Sequence, residues 1–377
     1  MASAGSEIIV KVFGHLLKEV INPGLCLGCG ACVASCTHAA LQMVDERPML
    51  KVRCEVCNVC YYHCPQVNDQ ATLEIRTFGR SASESEVLGI YEKAFSAKAL
   101  DPEIIARAQD GGAVTALLAA LLEAGFIDGA VVMGRDERWH PVPKVAVTRE
   151  ELIECSGTKY SRGAILVGLR DAVDLYSCQR LALVGTPCQI KAFRAMATGE
   201  RAVYRLTHAV KLCIGLFCMR AFPYEGFFKR VIEGQLEVKL EEVSKFDIKK
   251  GRFIIYRGGK PKRELAIEAL EQFVDAPCKL CSDFASELAD ISVGAVGSPL
   301  NHSTMLLRTS RAFEALDAVG RNKALELQPL EKVGPGLDAV RRAAMRKKRD
   351  VNNEIDRRRR LGKPLPPWLQ SKQEEIT

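Results

Sequence analysis

Apolar residues recur at helical spacing near the start of the chain. Ile9, Phe13, Leu16, Leu17 and Val20 lie at intervals that place them on one face of a helix, so a short amphipathic helix is predicted there. The segment lacks the continuous apolar stretch and the cleavage site of a secretory signal. The N-terminal pattern therefore predicts a structural helix rather than a targeting segment.

The most apolar long segment covers residues 113–133, and it predicts a buried helix followed by a strand. It includes Glu123 and Asp128 beside glycines, whereas a membrane-spanning helix needs about 20 apolar residues with few charges. We therefore expect a soluble, cytoplasmic protein that is at most peripheral to a membrane, where a partner complex would hold it.

Shorter patterns predict two strands and a hairpin. Residues 181–184 and 291–293 are apolar runs of the kind that form buried strands. In residues 249–263, two strand-like segments flank the pair Gly258-Gly259, which favours a tight hairpin turn. Lysine and arginine are frequent in this hairpin, so it is also a candidate for steering an anionic ligand.

Composition adds a metal-binding signal to this picture. The chain has 377 residues, of which 47% are hydrophobic and 15 are cysteines. The hydrophobic share is enough for one or two packed cores. Because the cysteines form short-spaced groups within a long chain, they favour metal binding over disulfides and indicate a reducing compartment.

The net charge of +7 is unevenly distributed, because the chain becomes strongly basic after Lys332. Such runs of charge favour a solvated helical tail, and docking onto an acidic partner is the alternative. Aromatic residues that stack on bases are nearly absent from this tail. We therefore expect no nucleic-acid partner.

Two groups of cysteines within the first 80 residues share the spacing C-x2-C-x2-C-x3-C. Three thiolates on one tight loop can bind three irons of a [4Fe–4S] cluster, and in two-cluster ferredoxins the fourth ligand comes from the other group. The spacing thus assigns one cluster to Cys26, Cys29, Cys32 and Cys64, and a second cluster to Cys54, Cys57, Cys60 and Cys36. Residues 22–78 resemble a bacterial-type ferredoxin.

One position departs from the ferredoxin pattern. Thr37 follows Cys36, where that pattern has proline, but every thiolate is present. Zinc also binds four thiolates, so a zinc ribbon is the alternative, and the repeated spacing favours the clusters. Gly28 and Gly30 suit a loop whose N–H groups turn toward the sulfurs.

Seven cysteines lie beyond residue 80, and some occupy positions suited to a further site. Cys188 follows the strand predicted at 181–184, and ligands are often placed at such strand ends. One C-x2-C pair and two separate cysteines could complete a four-thiolate site, although free cysteine is also a common small core residue. The seven are Cys155, Cys178, Cys188, Cys213, Cys218, Cys278 and Cys281.

Several segments together resemble one known family, the beta subunits of coenzyme F420 hydrogenases and dehydrogenases, over roughly residues 90–305. The segments are Gln109-Asp110-Gly111-Gly112-Ala113-Val114-Thr115, Ser156-Gly157-Thr158-Lys159-Tyr160, Gly185-Thr186-Pro187-Cys188-Gln189, Ile214-Gly215-Leu216-Phe217-Cys218-Met219, Lys250-Gly251-Arg252-Phe253, Pro277-Cys278-x2-Cys281-x-Asp283 and Ala289-Asp290-Ile291-Ser292-Val293-Gly294-x-Val296-Gly297. With its ferredoxin segment, the chain is most similar to the electron-input subunit of F420H2 dehydrogenase.

The resemblance implies an α/β core that binds FAD and one further [4Fe–4S] cluster and exchanges hydride with coenzyme F420. By motif, the ligands of this third cluster would be Cys188, Cys218, Cys278 and Cys281. The chemistry also asks for a flavin, because a deazaflavin gives up two electrons together as hydride whereas a cluster accepts one at a time. No catalytic side chain is needed for direct hydride transfer between cofactors.

Eleven residues in these motifs are candidates for cofactor contact. Glycines before a helix permit a phosphate to approach the first N–H groups, and glycines after a strand permit close approach of a cofactor. A plain turn or a solvated strand face is the alternative for each. The candidates are Gly111, Gly112, Thr115, Thr158, Lys159, Tyr160, Gly294, Gly297 and Ser298 for FAD, with Lys250 and Arg252 for the anionic tail of F420.

The patterns predict three parts of the chain: an N-terminal helix and two-cluster ferredoxin domain at 1–80, an α/β core at 81–325, and a basic helical tail at 326–377. The expected function is an F420H2 dehydrogenase or F420 reductase subunit that passes single electrons to other subunits of an electron-transfer complex. Alternatives are the F420-facing subunit of a formate dehydrogenase or hydrogenase, a flavin and iron–sulfur reductase of an organic substrate, and a non-catalytic electron relay.

Overall fold

The computed structural model of the protein describes residues 10–199, 201–320 and 324–374. The predicted N-terminal helix is confirmed from Phe13 onward: a short α-helix continues as a π-helical turn, and Phe13, Leu16 and Val20 are buried. Ile9, which the pattern included, lies outside the described residues, as does the rest of 1–9.

The strands of the described residues form a two-stranded, a three-stranded and an eight-stranded sheet. They are β1 (Leu41–Val44), β2 (Arg47–Leu50), β3 (Lys93–Ala99), β4 (Gly129–Arg135), β5 (Pro141–Ala146), β6 (Leu181–Gly185), β7 (Val210–Leu216), β8 (Val243–Lys249), β9 (Arg252–Arg257), β10 (Lys260–Ala266), β11 (Ile291–Gly294), β12 (Ser303–Leu307) and β13 (Leu325–Pro329).

The helices of the same residues range from single turns to one helix of 25 residues. They are α1 (Phe13–Leu16), α2 (Ala31–Ala34), α3 (Val59–Tyr62), α4 (Gln70–Phe78), α5 (Pro102–Arg107), α6 (Ala113–Glu123), α7 (Arg149–Glu154), α8 (Val167–Asp174), α9 (Pro187–Thr198), α10 (Tyr204–Thr207), α11 (Ser310–Val319), α12 (Gly336–Arg360) and α13 (Pro367–Glu374). The π-helical segments are Leu17–Ile21 and Tyr224–Gln235, and the 3-10 segments are Leu240–Glu242, Ile267–Phe273, Ala276–Leu280 and Leu330–Lys332.

The eight-stranded sheet has the order β13-β3-β12-β11-β7-β6-β4-β5. Strands β11, β7, β6 and β4 run parallel to one another, and β3 shares their direction because it is antiparallel to β12, which is antiparallel to β11. The carboxyl ends of these five strands therefore meet at one edge, which is where mixed α/β folds place their ligands.

Helices cover both faces of this sheet, because its central strands are apolar on both sides. Ala182 and Val184 point to the face that carries α6, α7 and α11, while Leu181 and Leu183 point to the face that carries α8 and α9. The predicted helix and strand of residues 113–133 are confirmed as α6 and β4.

Part of the cysteine-rich segment packs into the second of these layers. Ala31 and Ala34 of α2 and Leu73 of α4 share one hydrophobic cluster with Leu166 and Leu169. The N–H of Leu166 also donates to the carbonyl of Cys29 at 3.2 Å. The N-terminal segment therefore lies against the α/β core over a continuous apolar contact.

A separate aromatic cluster supports the three-stranded sheet of β8, β9 and β10. Phe227, Phe246 and Phe253 are fully buried in it and pack edge-to-face or stacked. The predicted hairpin is confirmed as β9 and β10, since Gly258 and Gly259 both have positive φ, of 55° and 75°, as a tight primed turn requires. The first residues of the predicted hairpin belong elsewhere: Lys249 ends β8, and residues 250–251 form the turn between β8 and β9.

The basic C-terminal segment is helical, as expected, but the interpretation of a solvated tail is wrong for one of its faces. Positions 340, 344, 347, 351, 355 and 358 of α12 are buried, and they follow helical spacing. Val351 and Ile355 pack against the N-terminal helix and ferredoxin segment, while Val340 and Ala344 pack beside Phe284. Apart from the buried Lys347 and Arg358, most basic residues of this helix, such as Arg346 and Arg349, are exposed. None of the described helices is both long and apolar enough to span a bilayer.

Candidate iron–sulfur and cofactor site

The structure gathers the first predicted cluster ligands around one cavity. Its lining includes Cys26, Cys29, Cys32 and Cys64, in the grouping that the spacing predicts. Gly28 and Gly30 also line it, with φ of 63° and 83°, and the N–H of Gly28 points to the sulfur of Cys26 at 3.4 Å. Burial raises the pKa of Cys64 to about 12, so iron binding there must displace the thiol proton.

A second cavity is lined by Cys36, Cys54, Cys57 and Cys60, again as the spacing predicts. The N–H of Ala40 donates to the sulfur of Cys36 at 3.3 Å. Each group has two buried and two partly exposed cysteines, but the neighbours of the partly exposed ones differ. Arg53, Glu55 and Val56, beside Cys54 and Cys57, are exposed, whereas the neighbours of Cys26 and Cys64 are buried (Leu25, Leu27, His63 and Pro65). The second group is therefore the better placed of the two for exchange with a partner.

The four cysteines assigned to a third site come from three separate places at the carboxyl edge of the sheet. Cys188 lies in the first turn of α9, directly after β6, and Cys218 follows β7. Cys278 and Cys281 lie in and just after the 3-10 segment Ala276–Leu280. Burial, followed by the neighbouring Cys281 thiol, raises the pKa of Cys188, and Cys218 acts in the same direction.

Zinc and a [4Fe–4S] cluster both bind four thiolates, but at different separations of the sulfurs. Four thiolates that share one zinc at about 2.3 Å would lie only about 3.8 Å apart. In the described part of the chain, no three Cys, His, Asp or Glu side chains approach closely enough to hold one ion. In a cubane each thiolate binds a different iron, so the sulfurs stand further apart. The all-cysteine donor sets of four fit [4Fe–4S] clusters, which bind one thiolate per iron.

Two partly buried cations lie between the first and third cysteine groups. Arg162 donates to the carbonyl of Cys26 at 2.8 Å and forms an ion pair with Asp275, which precedes Cys278 by three residues. Lys191, one turn after Cys188 on α9, lies near Cys64 and Cys281. Burial lowers the pKa of Lys191 to about 8. These contacts make the two groups direct neighbours.

The predicted phosphate-contacting glycines begin α6 at the same edge. Gly112 has φ of 70° and precedes the helix, which has no side-chain cap. Its first N–H groups are therefore open to an anion. Gly111 has a packing reason of its own, because a Cβ there would lie 2.6 Å from the carbonyl of Ala97 and the N–H of Ser303. Thr115 lies in the first turn of α6.

The predicted Thr158-Lys159-Tyr160 loop is connected to the start of this helix through Gln109. The side chain of Gln109 accepts from the N–H of Thr158 at 3.2 Å and donates to Asp247 at 2.7 Å. The hydroxyl of Tyr160 lies 3.5 Å from the same amide. Lys159 does not take part in these contacts. Its ammonium donates to the carbonyls of residues 155, 156 and 157 at the end of α7.

The remaining candidates divide between packing positions and exposed ones. A Cβ on Gly294 would lie 2.3 Å from Phe217, and one on Gly297 would lie 2.6 Å from Val340 of α12. Ser298 is buried and shares a hydrogen bond of 2.8 Å with Thr304. For these three, contacts within the protein account for the small side chains. Lys250 and Arg252 are exposed at the turn between β8 and β9.

Several residues of the site are absent from the motifs that the sequence analysis used. Arg162, Lys191, Asp275 and Lys347 lie beside the cysteine groups, and Asp247 anchors the Gln109 loop. Only Asp275 carried a usable signal, since it stands just before the Pro277-Cys278 motif. The others reach the site through long-range folding.

Family comparisons cover the α/β core and part of the cysteine-rich segment. Residues 94–169 and 178–333 match the N-terminal and C-terminal parts of the coenzyme F420 hydrogenase/dehydrogenase beta subunit, and residues 19–42 match a 4Fe-4S binding domain. The beta subunit of the coenzyme F420 hydrogenase of Methanothermobacter thermautotrophicus is 38% identical over 281 residues, which cover 74% of this chain and 99% of that protein.

A longer relative and a solved structure extend the comparison. One subunit of the F(420)H(2) dehydrogenase of Methanosarcina mazei is 30% identical over 338 residues, covering 86% of this chain and 89% of that protein. The F420-reducing [NiFe] hydrogenase complex from Methanosarcina barkeri contains a chain with a TM-score of 0.68 and 33% identity, matched over 76% of this chain and 99% of that one. The protein thus belongs to the family of coenzyme F420 hydrogenase/dehydrogenase beta subunits and carries an N-terminal 4Fe-4S binding domain.

Proposed function

We propose that this chain is the electron-input subunit of an F420H2 dehydrogenase: it takes hydride from F420H2 onto FAD and passes single electrons through three [4Fe–4S] clusters to a partner complex. The observation that carries the proposal is the row of three cysteine groups, which leads from the carboxyl edge of the sheet to the partly exposed Cys54 and Cys57. A continuous row is what single-electron transfer out of the core requires.

The contacts between neighbouring groups support this route. Cys29 is close enough to Cys188 to raise the pKa of its thiol. Cys60 acts in the same way on the thiol of Cys32. The third group is therefore adjacent to the first, and the first to the second. The order of transfer would run from Cys188 and its partners, through the first cavity, to the second.

The match to the Methanosarcina mazei protein supports the same assignment. Its 338 matched residues outnumber those that follow residue 80, so the similarity extends into the cysteine-rich segment. The Methanothermobacter hydrogenase subunit, by contrast, is matched over nearly its whole length by about three quarters of this chain. The extra quarter of the chain is what a subunit with its own exit clusters would need.

FAD, when bound, supplies the step between a two-electron donor and one-electron acceptors. The residues that would hold its phosphates are Gly111, Gly112 and Thr115, because the start of α6 offers uncapped N–H groups. Tyr160 would limit access of water, since it is held between Gln109 and Phe253. Lys250 and Arg252 would attract the anionic tail of F420 from solvent.

The test is anaerobic reduction of the reconstituted protein by F420H2, followed by absorbance, with a one-electron dye as acceptor. We expect release of FAD on denaturation, rapid bleaching by F420H2, and about twelve irons per chain. If a reduced one-electron dye reduces the protein but F420H2 does not, and no flavin is released, a non-catalytic relay would be favoured instead. Bleaching by NADH but not by F420H2 would remove F420 as the substrate.

A further inference from the structure

A lysine of the C-terminal helix lies inside the third cysteine group. Lys347 is 1% exposed and belongs to the buried face of α12. Its ammonium donates to the carbonyl of Cys218 at 2.6 Å and to the carbonyl of Asp283 at 2.7 Å, and it lies 3.8 Å from the sulfur of Cys281. Two of the four proposed ligands are therefore within reach of one cation.

Among the residues that the structure describes, no carboxylate lies within ion-pair distance of this cation, although the Asp283 carboxylate is near enough to act on it. The acceptors that its ammonium contacts are two main-chain carbonyls and a thiol. A buried ammonium is costly unless a negative charge or a full set of acceptors offsets it. Four thiolates give a [4Fe–4S] cluster a net negative charge, so a loaded third site would add a counter-charge in direct contact with the ammonium.

The rest of α12 holds Lys347 in this position. Ala344 and Val340 pack one and two turns before it, and Val351 and Ile355 pack one and two turns after it. Lys348, the next residue, pairs with the buried Glu287 at 2.9 Å. The ammonium is therefore fixed beside the third cysteine group. A lysine of a free tail would instead lie in solvent.

We propose that Lys347 sets the reduction potential of the third cluster, and that α12 is part of the redox site rather than a tail. The inference rests on the proposed function, because the third cluster is part of that proposal. When the cluster gains one electron its negative charge increases by one, and no bond is made or broken. A fixed cation nearby stabilises the reduced form more than the oxidised form, so it raises the potential.

The test compares K347Q, K347R and R346Q in the full-length, reconstituted chain. Gln keeps a donor for the two carbonyls but lacks the charge, and Arg keeps the charge. Arg346 is exposed on the same helix, so R346Q removes an equal charge away from the site. Iron content and reductive titration followed by EPR are measured for each, and the third cluster is identified as the signal that C188S lacks.

We expect K347Q to keep all three clusters but to reduce the third at least tenfold less readily, which is about 59 mV for a one-electron couple. K347R and R346Q should titrate like the wild type. Loss of the third cluster in K347Q but not in K347R would also support the role of the charge. Three clusters with unchanged potentials in K347Q, or loss of the cluster in both variants, would overturn it. A wild type with only about eight irons would instead overturn the third cluster itself.

Discussion

Individual cysteines differ in their surroundings in a way that separates ligands from core residues. Cys213 is buried against Asp290, whose carboxylate accepts from its N–H at 2.8 Å, and the charges with the largest effect on its thiol are Arg194 and Asp290 rather than cysteines. Cys178 is buried under β4 and contacts the carbonyl of Asp128. Cys188, in contrast, has Cys281 and Cys218 as neighbours. Neighbouring thiols, rather than burial alone, mark the proposed ligands.

Replacement of Cys188 by Ser should remove one cluster of three. A hydroxyl is a poor ligand for iron compared with a thiolate, so we expect iron to fall from about twelve to about eight per chain, with the two ferredoxin signals retained. The measurement is iron and sulfide analysis with EPR of the reduced protein. Cys213→Ser is the matched control and should keep all iron. Unchanged iron in the Cys188 variant would mean that the third assignment is wrong.

Glu287 provides a pH-dependent contribution to stability. Burial, and then the nearby Asp283, raises its pKa from 4.5 to about 7, although Lys348 opposes the shift. Between these two values the folded state holds a proton that the unfolded state has lost. The free energy of unfolding should therefore decrease as pH rises through this window, by roughly 3 kcal/mol at most.

The measurement is anaerobic denaturant unfolding of wild type and Glu287→Gln between pH 5 and 8. The difference in unfolding free energy between the two proteins should shift in favour of the variant as pH rises, because Gln cannot ionise. Glu314→Gln, at an exposed position of α11, should show no such trend. A constant difference for Glu287→Gln across the range would contradict the raised pKa.

At the scale of elements, α12 has two faces with opposite roles. Its outer face carries most of the arginines and lysines, and its inner face carries Val340, Ala344, Lys347, Val351, Ile355 and Arg358. The helix is amphipathic, but its composition does not indicate this, because its few buried residues are interspersed among many charged ones. Its contacts run from the N-terminal helix to the third cysteine group.

Val351→Ala should destabilise the protein by about 2 kcal/mol, because the lost methyl groups leave a cavity in a packed contact. The control is Met345→Ala on the outer face, where the side chain is 57% exposed and the change should stay within about 0.5 kcal/mol. Denaturant unfolding of both variants measures the effect. Equal effects of the two changes would show that α12 does not pack as described.

At the scale of the whole molecule, the ferredoxin segment and the α/β core form one body. Besides the shared apolar cluster, Arg170 donates to the carbonyl of Cys36 at 2.5 Å, and His63 bonds the carbonyl of Arg201 at 3.0 Å. The Arg162–Asp275 pair lies at the centre of this contact, with both side chains largely buried. A fixed contact keeps the distances between cysteine groups short, as electron transfer requires.

Arg162→Gln should cost about 3–5 kcal/mol, because it leaves Asp275 charged and buried without its partner. The double variant Arg162→Gln, Asp275→Asn should recover much of that loss, since neither charge then remains. Unfolding free energies and limited proteolysis between residues 80 and 92 are the measurements. Arg149→Gln breaks an exposed pair with Asp101 and should cost at most about 1 kcal/mol. A double variant no better than the single one would argue against a charge effect.

Sequence alone determined the features that depend on local spacing. The repeated C-x2-C-x2-C-x3-C pattern predicted which cysteines share each ferredoxin cavity, because a tight loop limits which thiols can meet. Gly258-Gly259 predicted its hairpin, and apolar runs predicted α6 and β4. The family resemblance, through its motifs, supplied the four cysteines of the third group.

Only the tertiary structure decided which charges surround those cysteines and why certain positions must be small. Lys347 is 129 residues from Cys218, and Arg162 is 136 residues from Cys26. Contacts between residues so far apart in the chain produce no periodic pattern in the sequence. Likewise, the sequence predicts cofactor contact for Gly294 and Gly297, and only the fold adds a packing reason, because Phe217 and Val340 lie where a Cβ would be. Residue spacing predicts the local structure of a single loop or helix. The site, in contrast, depends on contacts between distant segments that only the fold brings together.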